Sequence, residues 1–191
     1  MTRSLIPNVK FAKLVPGCRV PSMMEDRANH LLTRFDFKYP DQIDIREICD
    51  YYKIKIRAST EPDLTFSVCT GFRKGYIYIQ KGVDYLQFKE LCGEEFAHLY
   101  LHTISQTETT KHLHAKQERQ AKDFSTYLYM PLQMMEEVLL SYDQAVDISQ
   151  LAEEFLVSEE FVYYRLSLLF PDRVDAIARA KGRFGYVQWL E

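Results

Sequence analysis

The chain has 191 residues, 47% of them hydrophobic and 14% aromatic, which is enough to bury the core of one domain and excludes the disordered class. Its formal charge of -3 gives no overall sign of a nucleic-acid-binding or membrane-surface protein. Because no Cys-x-x-Cys pair is present, a disulfide scaffold and a cysteine zinc site are disfavoured, and buried free thiols are expected at Cys18, Cys49, Cys69 and Cys92.

The first residues differ in character from the rest of the chain. Residues 1–24 carry four basic side chains and no acidic one, and three prolines fall within residues 1–21. We interpret residues 1–21 as an irregular basic arm. No apolar run approaches the roughly 18 residues that span a membrane, and no uninterrupted signal segment is present. The sequence therefore predicts a cytoplasmic protein with no membrane partner.

The predicted elements begin after this arm. Ser22, followed three residues later by Glu25, is typical of a capped helix start, and apolar residues recur at helical spacing as far as Phe35. Asp44 is a second helix cap, for a short helix that runs to Tyr52. The alternation around residues 54–56 then predicts a strand.

A hairpin and a long helix follow. β-forming residues between positions 64 and 72, turn residues at 73–75 and the segment Tyr76–Ile79 predict two antiparallel strands. We expect the strand Tyr76–Gln80 to offer its edge to an extended substrate. Asp84 opens a long helical pattern, which ends in the polar run 103–110.

The remainder of the chain is predicted to be helical, at about 114–130, 132–140, 148–155 and 158–170. The predicted fold class is α+β, with helices around a small, mostly antiparallel sheet. We expect three parts: the arm at 1–21, a main domain at 22–146 and a C-terminal helical subdomain at 147–191 that packs on it. Residues 151–169 of this subdomain have landmarks of a helix-turn-helix.

The long helix carries a set of side chains suited to metal chemistry. Glu94, His98 and His102 are spaced four residues apart and share one helix face. Glu95 stands next to this face, as the general base does in the His-Glu-x-x-His arrangement. A catalytic metal needs a third protein ligand from another element, and Glu118 on the following helix is the candidate.

These residues resemble a known family. The pattern Glu94-Glu95-x-x-His98-x-x-x-His102, followed by Glu118-x-x-Ala121-x-x-Phe124-Ser125 and by Met130-Pro131, is similar to that of the ImmA/IrrE family of zinc-dependent peptidases. The likeness covers about residues 22–170 and departs from the family at Glu94, where the usual motif has its first histidine. The resemblance implies a zincin-like fold of the gluzincin type.

The resemblance also implies an activity. The expected protein is a metal-dependent endopeptidase that cuts an Xre-type helix-turn-helix repressor in a phage, mobile-element or stress-response circuit. Glu95 would be the general base, and Glu94, His98 and Glu118 would hold zinc or another divalent metal. A carboxylate is an acceptable zinc ligand, although two carboxylates partly cancel the charge of the ion and weaken its Lewis acidity.

The sequence also allows an alternative function. In this alternative, the protein has kept the fold but lost tight metal binding, and it acts as a catalytically inactive, protein-binding regulator. His102 is a ligand candidate, but we expect it to pack beside the ligands and not to bind the metal itself. His112 and His114 are expected at the surface. Direct binding of nucleic acid by the C-terminal helices is disfavoured, because Glu159 and Glu160 open the second of them.

Overall fold

A computed structural model describes residues 22–61, 63–102, 111–142, 146 and 148–169. The predicted arm at 1–21 and the polar run at 103–110 lie outside the described residues. Within the described part, no helix is long and apolar enough to cross a membrane. Contacts divide the chain into two compact units, one formed by residues 43–125 and the other by the described residues before and after that range.

The unit at residues 43–125 begins with a short helix and a strand. Helix α2, Ile45–Tyr51, starts at Asp44, whose carboxylate accepts a hydrogen bond from the Arg46 N–H at 2.8 Å. Strand β1, Lys55–Ala58, follows it. Both elements were predicted, because a cap residue and an alternating pattern are local signals.

Strands β2, Phe66–Gly71, and β3, Lys74–Ile79, complete a three-stranded sheet in the order β1-β3-β2. β3 pairs with β2 in antiparallel fashion, as predicted, and with β1 in parallel. The sheet is therefore mixed, and the predicted α+β class is confirmed. The expectation that Tyr76–Gln80 offers its edge is wrong, because β3 is the central strand and is paired on both sides.

Helix α3, Tyr85–Leu101, packs on β2 and β3. It begins with a reciprocal capping box, in which the Asp84 carboxylate accepts from the Gln87 N–H and the Gln87 side chain accepts from the Asp84 N–H. Gly75 allows β2, β3 and α3 to approach closely, since a Cβ at this position would lie 2.1 Å from the backbone oxygen of Val68.

The other unit is built from helices at both ends of the described chain. Helix α1, Met23–Leu32, is capped by Ser22 as predicted, with the Ser22 hydroxyl accepting from the Glu25 N–H at 3.2 Å. Helix α4, Lys111–Tyr129, enters the unit at residue 126. It is followed by α5, Leu132–Ser141, α6, Ile148–Phe155, and α7, Glu159–Leu169.

A buried ion pair joins the first and last helices of this unit. The Arg165 guanidinium on α7 donates to the Glu25 carboxylate on α1 at 2.6 Å and to the Met130 backbone oxygen at 2.9 Å, and it stacks on the Tyr127 ring. The Arg165 side chain is fully buried, so its charge depends on these partners.

The cysteine prediction is partly wrong. Cys49 and Cys92 are buried free thiols, but Cys69 is exposed because it lies on the part of β2 that faces solvent. Cys18 lies outside the described residues. The predicted domain boundaries at 21/22 and 146/147 stay a prediction.

Candidate metal centre

The candidate site lies on the second half of α3, the helix that packs on β2 and β3. Glu94, Glu95 and His98 fall within about one helical turn. His98 is buried, whereas Glu94 and Glu95 are partly exposed. The backbone of α3 therefore presents these side chains together at one place on the unit.

The structure brings His98 and Glu118 together. Nε2 of His98 lies 3.5 Å from Oε1 of Glu118 on α4, so α3 and α4 approach each other at the site. Burial, with smaller contributions from His102 and His114, lowers the pKa of His98 to about 4. The imidazole is therefore neutral near pH 7, and a neutral imidazole is the form that binds a metal.

Glu95 has the electrostatic environment of a proton acceptor. Burial raises its pKa to about 7, and the charges of Glu94 and Glu118 act in the same direction. Ser67 on β2 opposes them, because its hydroxyl and its backbone N–H donate hydrogen bonds to the carboxylate and lower its pKa. A pKa near neutrality is suited to a general base.

Glu94 lies in the same negative surroundings. Burial raises its pKa first, the charge of Glu118 raises it further, and the Lys122 ammonium lowers it. The charge of Glu118 thus disfavours the ionised forms of both Glu94 and Glu95. A bound cation would relieve this repulsion.

The donor chemistry fits a divalent cation, but the side chains do not enclose one as they stand. Across the described residues, no three His, Cys, Asp or Glu side chains form a group that could hold a metal ion. A neutral imidazole and a carboxylate are nevertheless in place at His98 and Glu118, beside two further carboxylates with raised pKa values. The predicted roles of these residues stay predictions.

The remaining histidines lie close to the site. The His102 ring centroid is 5.7 Å from that of His98, a position compatible with the predicted supporting role. His114, expected at the surface, is half-exposed, but its Nε2 atom also lies 3.7 Å from Oε1 of Glu118. Its spacing of four residues before Glu118 was the available signal.

Sequence reasoning also missed Ser67. Its contact with Glu95 joins a strand to a helix that lies almost thirty residues later in the chain. No local pattern marks such a contact. Only the packing of β2 against α3 creates it.

A comparison with known families agrees with this geometry. The family model described as the IrrE N-terminal-like domain matches residues 49–167, which is more than half of the chain and includes every site residue above. No curated protein and no solved structure gives a significant match. The chain therefore belongs to the ImmA/IrrE family, a family of metallopeptidases.

Proposed function

We propose that the protein is a metal-dependent endopeptidase, with Glu95 as general base and with Glu94, His98 and Glu118 as metal ligands. The observation that carries this proposal is the 3.5 Å approach of His98 Nε2 to Glu118 Oε1, made by residues of two helices in a chain of a peptidase family. The neutral state of the buried His98 imidazole supports its role as a ligand.

The chemistry divides between the ion and the protein. A divalent ion such as zinc, when bound, polarises a peptide carbonyl and makes water more acidic. Glu95 accepts the proton of the attacking water, and its pKa near 7 lets it both take and release a proton at neutral pH. The Ser67 hydroxyl and N–H hold the Glu95 carboxylate in place.

Strand β2 offers a place for the substrate chain. In the described sheet, β2 is paired with β3 alone, so its other edge is available for an added strand. Ser67 lies on β2 and contacts Glu95. A peptide that pairs with β2 would therefore run past the general base.

The substrate class rests on the family alone. We propose a protein substrate, an Xre-type helix-turn-helix repressor in a phage, mobile-element or stress-response circuit, and an action in the cytoplasm. No role in direct nucleic-acid binding is proposed, because the α7 helix opens with the exposed carboxylates Glu159 and Glu160.

Metal content tests the proposal directly. Plasma mass spectrometry on protein loaded with zinc, manganese or cobalt should find one ion per chain, and His98→Ala should lose it. Glu94→Ala should weaken zinc binding, whereas Glu94→His should tighten it. A wild-type protein that binds no metal stoichiometrically under any loading condition would contradict the enzyme proposal.

Cleavage is tested separately from metal binding. A repressor encoded beside the gene should be cut when it is co-expressed with the wild type and stay intact with Glu95→Gln. The loss of a general base reduces the rate about 10²- to 10⁴-fold, while the metal ligands of this variant are unchanged. An uncut repressor with metal-loaded wild type would argue against peptidase action.

A second candidate function is a catalytically inactive regulator that holds its partner through the same site. Two observations favour it: Glu94 stands where the usual motif has a histidine, and no three described donors enclose a metal as they stand. Pull-down separates the two functions. An intact captured partner, retained equally by wild type and Glu95→Gln, would support the inactive regulator.

A further inference from the structure

One carboxylate oxygen lies between two imidazoles. Oε1 of Glu118 is 3.5 Å from Nε2 of His98 on α3 and 3.7 Å from Nε2 of His114, which precedes it by one turn of α4. The three side chains come from two helices of a single compact unit. His114 thus shares with His98 the carboxylate that the proposed function assigns to the metal.

These separations are close to those in a metal site. A tetrahedral zinc ion with ligand bonds of about 2.0 to 2.2 Å holds neighbouring donor atoms roughly 3.3 to 3.5 Å apart. The two distances to Glu118 are therefore close to two edges of such a tetrahedron. The His98 and His114 nitrogens do not form a third such edge, since no three donors of the described residues are grouped closely enough to hold a metal ion.

A small movement of the His114 and Glu118 side chains would bring the His114 nitrogen into position for the same ion. The His114 side chain is 47% exposed and that of Glu118 41% exposed, so both can change rotamer without disturbing the core. The His98 imidazole is only 8% exposed and is fixed by packing.

We propose that His114 is an additional ligand of the metal ion, supplying the imidazole that the motif lacks at position 94. The proposal rests on the proposed function, since it concerns the same ion. The ion would contact the His98 and His114 nitrogens and the Glu118 carboxylate, which is the His₂Glu set of catalytic zinc sites. Glu94 would then add a carboxylate on one side of the ion.

Zinc affinity, measured by competition with a chromophoric chelator, tests this assignment on the full chain. His114→Ala should lower the affinity by more than about tenfold, which is the lower end of the loss caused by removing a residue that only supports a ligand. His112→Ala is the matched control, because this exposed histidine lies on the same helix and should leave the affinity unchanged. Circular dichroism verifies folding of each variant.

X-ray absorption at the zinc edge gives a second readout that does not depend on activity. It should count two imidazoles on the ion in the wild type and one in His114→Ala. If His114→Ala binds zinc as tightly as the wild type while His98→Ala does not, the assignment of His114 is wrong and the proposed function stands. If the wild type binds no zinc, both proposals fail.

Discussion

His98 and Glu118 face each other at 3.5 Å across two helices, yet they do not form an ion pair near pH 7. Burial keeps the pKa of His98 at about 4, so its imidazole is neutral there. A neutral imidazole nitrogen therefore faces the Glu118 carboxylate. These are two of the donor types that zinc sites use.

Zinc should stabilise the folded protein. Because the ion binds the folded state, the free energy of unfolding should rise by about 2.7 kcal/mol at a free zinc concentration 100 times the Kd. Thermal unfolding with and without zinc measures the gain. His98→Ala and Glu118→Ala should lose it, and His30→Ala, an exposed histidine on α1, should keep it. If zinc stabilised the wild type and all three variants equally, it would bind at a site that does not include His98 or Glu118.

The stability of the metal-free protein should depend on Glu95 and pH. The folded pKa of about 7 lies above the ordinary value of 4.5, so between these values the folded state binds more protons. The free energy of unfolding therefore falls as pH rises from about 4.5 to about 7. Glu95→Gln should remove this fall, on the order of 2 kcal/mol.

Urea unfolding in the presence of a chelator, repeated across this pH range, measures the difference between wild type and Glu95→Gln. His98 has the opposite effect, since its lowered pKa destabilises the fold as pH falls from 6.5 towards about 4. Because both proteins retain His98, its contribution cancels in the comparison. Parallel curves for the two proteins would contradict the assigned environment of Glu95.

Ser67→Ala should raise the pKa of Glu95 further. The Ser67 hydroxyl lowers that pKa by donating to the carboxylate, and alanine retains only the backbone N–H. The acidic limb of the pH–activity profile should move to higher pH, and carbon NMR of the Glu95 carboxyl should show the same direction. Thr70→Ala, which removes an exposed hydroxyl from the same strand, should change neither. A carboxyl titration unchanged by Ser67→Ala would exclude the contact.

Arg165→Ala should destabilise the fold by about 3 to 5 kcal/mol, because it leaves the buried Glu25 carboxylate without its cation. Replacement of both residues by methionine should recover most of this loss, since neither charge then remains buried. Arg27→Ala, on the exposed side of α1, should stay within about 0.5 kcal/mol. Urea unfolding measures all three, and a loss below about 1 kcal/mol for Arg165→Ala would contradict the role of the ion pair.

Local signals predicted the elements well. Ser22, Asp44 and Asp84 all cap the helices that the sequence assigned to them, because a cap and its partner lie within three residues. Glu118 was chosen from the family pattern, and its carboxylate lies 3.5 Å from the His98 imidazole. The roles of Glu94, Glu95, His98 and Glu118 stay predictions.

Contacts between distant segments were not predictable. The parallel pairing of β1 with β3 places the latter strand in the centre of the sheet, and no pattern within β3 distinguishes a central strand from an edge strand in so short a segment. The approach of Ser67 to Glu95 depends on how β2 packs against α3. The approach of His114 to Glu118 is instead local, since the two residues are four apart on α4.

The burial of Arg165 also determines what the last two described helices can attract. It is the one basic residue within 148–169, and its charge is enclosed by Glu25 and Met130. The carboxylates of Glu153, Glu154, Glu159 and Glu160 remain exposed. Among the exposed side chains of α6 and α7, the charged ones are therefore all carboxylates, a distribution that attracts cations more than anions at these two helices.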